Sequence, residues 1–123
     1  MKVYDIERTD GGRVLLHVTS LTSDGRERGP RLEITPEASL KVRNHSPTGF
    51  EFGYSGSGPA QLALAILLDA FGAENEIAAE DNYQEFKAAF VAKARGPRWS
   101  VTERELLRWL ADKAGAAAHR KPA

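Results

Sequence analysis

GFEFGYSGSGPAQLALA, Gly49 to Ala65, is the stretch that decides how this chain folds. Within Gly49 to Gly58 stand four glycines, two serines and three aromatics, and an apolar helical run follows at once. Glycine takes dihedrals closed to other residues and lets backbone N–H groups lie bare. A helix opening behind such a turn presents unpaired donors and a partial positive charge. Pro59 to Phe71 is apolar nearly all round, broken only by Gln61 and Asp69. A helix of that kind is the central one, enclosed on several sides. Gly72 is placed to end it. With Ser57 or Gly58 as N-cap, Pro59 sits in the first turn, where its missing N–H costs nothing. With Gly58 as cap, Gln61 reaches back to the cap backbone.

Upstream, the chain reads as strands. Lys2 to Glu7 alternates, with Val3 as the leading buried candidate and Tyr4 and Ile6 behind it. Thr9-Asp10-Gly11-Gly12 marks a turn, and Arg13 to Thr19 is rich in β-branched and apolar residues, which together make a hairpin. Ser23-Asp24-Gly25 is a second turn, and Arg31 to Ile34 a short strand. Glu37 to Val42 fits a strand or a short helical turn equally. Arg43 to Gly49 is a loop punctuated by Pro47 and Gly49.

Downstream, a second helix is expected over Glu76 to Ala94, with Ile77, Ala79, Tyr83, Phe86 and Phe90 as its buried stripe. Gly96-Pro97 breaks it, and Trp99-Ser100-Val101 is extended. Thr102-Glu103-Arg104-Glu105 is a capping box opening a third helix with Leu106, Trp109 and Leu110 inward. The expected architecture is α+β: N-terminal antiparallel strands in a hairpin or small sheet, then about three helices, the first central and buried. Residues 1–114 form one domain, and 115–123 a tail that frays.

Composition narrows the function classes. Lys+Arg and Asp+Glu both number 17 in 123 residues, without the basic excess of a nucleic-acid binder. There is no cysteine, hence no disulfide, thiol chemistry or thiolate metal site. The longest apolar run, Leu62 to Leu68, is too short to span a bilayer. The N-terminus lacks the apolar core of a secretory signal, so a cytoplasmic domain is expected. His17, His45 and His119 are scattered, with no close metal-ligand spacing. No metal, cofactor or catalytic group is assigned. His45 beside Ser55 or Ser57, oriented by Glu51, Asp69 or Asp81, is the one arrangement that would suggest a general base, and the spacing does not require it.

The glycine-rich turn fails every named phosphate or nucleophile motif. A P-loop requires Lys-Ser/Thr where Pro59-Ala60 stand. A dinucleotide fingerprint beginning at Gly56-x-Gly58 meets Gln61 where glycine or alanine is needed. Gly53-Tyr54-Ser55-Gly56-Ser57 breaks the nucleophile elbow at its last position. Two readings remain: a cramped turn with Phe50, Phe52 and Tyr54 docked in the core, or a contact surface made of Phe50, Phe52, Gly53, Tyr54, Ser55, Gly56, Ser57, Gly58 and Gln61. On the second reading the surface takes a protein partner or an anionic ligand, a nucleotide or phosphometabolite being the small-molecule alternative. Arg95, Arg98, Arg104 and Arg108 give the last helix a locally basic edge, interleaved with Glu103, Glu105 and Asp112.

These residues resemble a family of small domains of unknown function found in bacteria, archaea, plasmids and phages. The likeness is carried by Ser46-Pro47-x-Gly49-Phe50-Glu51-Phe52-Gly53-Tyr54-x-Gly56-Ser57-Gly58-Pro59-Ala60-Gln61, running on through Leu67. Members usually carry Trp where Phe52 stands. Further likeness lies in Tyr83-Gln84-Glu85-Phe86-Lys87 and in Trp99-Ser100-Val101-Thr102-Glu103-Arg104-Glu105, with Trp109-Leu110 behind. It runs from about Tyr4 to Leu110. The resemblance implies a shared domain rather than a chemistry. Its phage and plasmid setting implies an accessory role, with inhibition of a host nuclease complex as one form.

Overall fold

Strand β1 (Lys2–Arg8) pairs antiparallel with β2 (Val14–Ser20) through the Thr9–Gly12 turn. Glycine is required at that turn: Gly12 has φ 84°. In the computed structural model, which describes the backbone of residues 1–120 and the side chains of 1–116, the sheet has four strands in the order β3-β2-β1-β4. The third strand, β3 (Leu32–Ile34), lies outside β2. The fourth, β4 (Arg98–Thr102), comes from the far end of the chain and pairs with β1. The extended Trp99–Val101 segment is therefore part of the sheet, so the strands do not all precede the helices.

Strand parity reverses one expectation. Tyr4 and Ile6 are fully buried and join Leu16, Val18 and Val101 in the core, while Val3 lies on the opposite face. A strand buries alternate residues, and the even set of β1 carries the bulkier pair. On the outer face one row reads Glu33, His17, Asp5 and Ser100 across the four strands.

Glu37–Val42 resolves as a short helix, α1. Helix α2 (Ser57–Phe71) buries every residue from Gly58 to Leu67. Leu62, Leu64, Ile66 and Leu67 are wholly enclosed, each contributing roughly 1.5–3 kcal/mol by burial. Gly72, at φ 84°, ends the helix, its N–H donating to Leu68 O at 3.0 Å. The N-terminus differs from expectation: Gly56 is the N-cap, because its carbonyl accepts Ala60 N–H at 3.0 Å. Pro59 still falls in the first turn.

After a 3-10 turn at Ala73–Asn75, helix α3 (Glu76–Phe86) runs into a π-turn over Lys87–Val91, closed by Ala92 N–H to Lys87 O at 2.8 Å. Phe86 stacks on Phe90 with centroids 4.9 Å apart, and Trp109 meets both edge-on. Ile77 is not in the stripe: it is 78% exposed, since the inward positions of α3 are Ala79, Tyr83 and Phe86.

Helix α4 (Glu103–Arg120) opens on the expected capping box. Glu105 N–H donates to Thr102 Oγ1 at 3.1 Å, and Glu105 Oε1 accepts Thr102 N–H at 3.0 Å. The helix does not stop at Gly115 but continues to Arg120, alanines carrying it onward. The side chain of His119 and residues 121–123 lie outside the described residues. No helix among the described residues is long and apolar enough to cross a membrane.

Candidate functional site

The glycine-rich turn is built outward from two anchors. Gly53, at φ 92°, donates its N–H to Val91 O at 3.0 Å. That carbonyl belongs to the π-turn, so an irregularity in one helix positions the turn preceding another. Arg95 Nη1 donates to Ala94 O at 2.9 Å, Ala92 O at 3.1 Å and Gly53 O at 3.4 Å, closing the same junction.

The second anchor is Arg8, at the end of β1. Its guanidinium lies 4.2 Å from the centroid of Phe52. Its Nη2 donates to Glu51 Oε1 at 2.5 Å and to Phe52 O at 3.3 Å. Phe52 is buried and meets Trp99 edge-on at 6.1 Å.

The remaining glycines serve close approach rather than unusual dihedrals. A Cβ at Gly58 would lie 2.6 Å from Glu51 Cβ, and one at Gly56 2.7 Å from Cε2 of Tyr54. The turn is thus folded tightly on itself. Glu51 packs its Cβ and Cγ against Gly58 in the first turn of α2, while its carboxylate is held by Arg8.

The nine residues expected to form a contact surface separate into two sets. Phe50 and Phe52 are core residues, and Gly58 is covered by Glu51. Gln61 is fully buried and does not reach back to its own helix cap. Its Oε1 accepts the N–H groups of His45 (2.8 Å) and Ser46 (3.1 Å). Its Nε2 donates to Ser39 Oγ (2.8 Å) and Arg43 O (3.0 Å). These four bonds use the whole capacity of the amide and pin the 43–46 loop to α2. Burial explains the correction: an apolar helix enclosed on all sides turns Gln61 inward, where only the loop backbone can satisfy it.

Tyr54, Ser55 and Ser57 are exposed, and Gly53 and Gly56 half-buried. Tyr54, at 52% exposure, is the large aromatic of the turn left facing solvent.

His45 turns away from the serines: its Nε2 lies 2.6 Å from Tyr83 Oη. Asp69 Oδ2 accepts Tyr4 Oη–H at 2.7 Å and Lys2 Nζ at 3.2 Å. Burial, followed by the hydrogen bond to Asp69, pushes the Tyr4 hydroxyl far above its ordinary range. Among the described residues no group of three or more His, Asp or Glu is arranged to hold a metal ion. Sequence reading missed Arg8 and Ser39, which act on the turn and on Gln61 from 44 and 22 residues away. No local signal marks either one.

With this geometry the chain matches the model of a family of unknown function, DUF6166, over residues 7–112. The chain belongs to DUF6166. No curated protein and no solved structure matches it. The matched span takes in the last two residues of β1, the other three strands, the glycine-rich turn and the opening half of α4.

Proposed function

We propose that this domain is a non-enzymatic binding protein that engages a protein partner through the outer half of the glycine-rich turn. Tyr54, Ser55 and Ser57 make the contact, with Gly53 and Gly56 shaping it. The observation that carries this reading is Tyr54, exposed on a turn whose backbone is tied down at Gly53 and whose other aromatics are buried. An aromatic held in place outside the core gives contact area with little ordering cost on binding. The groups that would serve chemistry have structural duties: His45 with Tyr83, Asp69 with Tyr4 and Lys2, Gln61 with the loop.

A protein is favoured over a phosphate-bearing ligand because Glu51 packs beside the helix start and Pro59 removes a donor there. The test is a photo-crosslinking residue at position 54, with position 77, also exposed, as control. A defined protein adduct at 54 and none at 77 is the expected result. Equal or absent labelling at both positions, or stabilisation by millimolar nucleotide that Ser57→Ala removes, would overturn the reading.

A further inference from the structure

The end of the sheet remote from the glycine-rich turn carries a cleft whose charged side chains are all basic. Arg8, which clamps the turn, closes β1, whereas the cleft lies where β1 begins. At ~3.3 Å per residue the strand sets the two places about 20 Å apart. Here the connection from β2 to β3 folds back as a small hairpin. Thr22 N–H donates to Arg26 O at 2.8 Å and Arg28 N–H to Ser20 O at 2.7 Å. Gly25, at φ 84°, closes the tip, its N–H on Thr22 O at 3.0 Å. Helix α4 starts directly behind β4 and brings Arg104 to the same cleft, an open space of about 530 Å³.

Met1 and Leu21 give the cleft an apolar wall, and Thr22, Ser23 and Gly25 a polar rim. Arg28 and Arg104 supply its charge. Both are exposed, and neither is ion-paired with a described residue. The neighbouring carboxylates are engaged elsewhere. Asp24 takes the Thr22 hydroxyl and Arg26, Glu103 takes Lys2 N–H, and Glu105 takes Thr102 N–H. Glu27 does not line the cleft. Ser23 adds a hydroxyl and a backbone N–H that pair with no described residue.

Two positive charges from separate elements, with no counter-charge in the lining, are matched by a dianion. Guanidinium forks donate in pairs to phosphate oxygens. A phosphate monoester carries close to two negative charges at neutral pH and offers three acceptor oxygens. A carboxylate, or one phosphodiester of a nucleic acid, brings a single charge. We propose that this cleft binds a small organic phosphate monoester. Its phosphoryl group is held by Arg28, Arg104 and Ser23, and its organic part lies on Leu21 and Met1. The site is separate from the contact turn.

Phenyl phosphate is the probe, with phenyl sulfate as the singly charged control. Titration of isotope-labelled protein by NMR is expected to shift the amides of Ser23, Gly25 and Arg104 at millimolar probe or below. Arg28→Gln and Arg104→Gln are each expected to raise Kd about tenfold or more, and phenyl sulfate to bind weaker by a similar factor. Both arginines are exposed and unpaired, and the amide map locates the site without any variant. Shifts spread over the whole surface, equal affinity for phenyl sulfate, or a Kd unchanged in both variants overturns the proposal. A short DNA duplex that binds here while phenyl phosphate does not overturns it too, and assigns the cleft to a nucleic-acid backbone. Ser57→Ala is expected to leave Kd unchanged. Crosslinking at position 54 reads the turn alone, so either site can fail while the other stands.

Discussion

Within Gly49–Leu67, one continuous stretch, two regions behave oppositely. Phe50, Phe52, Gly58 and the run to Leu67 are sealed inside, and Gln61 is saturated with hydrogen bonds. Tyr54, Ser55 and Ser57 stand in solvent a few residues away. The difference teaches that a glycine-rich turn can be structural at both ends and free in the middle. Gly53 is hydrogen-bonded to Val91 and Gly58 is packed against Glu51, and what lies between them is held out.

The sharpest break comes from the inner region. Leu64→Ala removes a fully buried side chain of α2 and is expected to cost about 2–5 kcal/mol, measured by denaturant unfolding. Gln61→Ala follows at about 2–3 kcal/mol, since the amides of His45 and Ser46 lose their acceptor. Hydrogen exchange at those two amides should accelerate with it; unchanged exchange would mean the loop is held by something other than Gln61. Gly58→Ala is expected to cost about 2 kcal/mol through overpacking against Glu51.

Tyr4 gives a test away from the turn. In the unfolded chain it ionises near the ordinary value of 10.0, whereas in the fold burial and Asp69 keep it protonated. Its contribution is complete below pH 10.0 and declines as pH rises past it, by about 1.4 kcal/mol per pH unit. Tyr4→Phe should remove that increment from the alkaline slope. The smallest effect belongs to the outer region: Tyr54→Ala should change stability by less than about 0.5 kcal/mol while abolishing partner capture. A large loss of stability there would show that the two regions are not separate.

Much of the fold was legible because its signals are local. The Pro59–Phe71 helix, the Thr102–Glu105 capping box and the first hairpin each follow from composition, periodicity or turn chemistry within a dozen residues. Val3 and Ile77 misled because an apolar residue beside an alternating or helical pattern looks inward until neighbouring elements choose the face. The site was half legible. The turn can be read from glycine spacing, whereas the inward turn of Phe50, Phe52 and Gln61 and the outward turn of Tyr54 depend on what packs over them.

Taken alone, the sequence determined an α+β domain with an enclosed central helix behind a cramped glycine turn, since backbone freedom and apolar run length act over short range. Tertiary structure alone decided that β4 returns to pair with β1, that Arg8 and the π-turn clamp the glycine turn, and that Gln61 serves the loop. Those outcomes join residues 15 to 99 positions apart, and only the assembled packing brings such partners together.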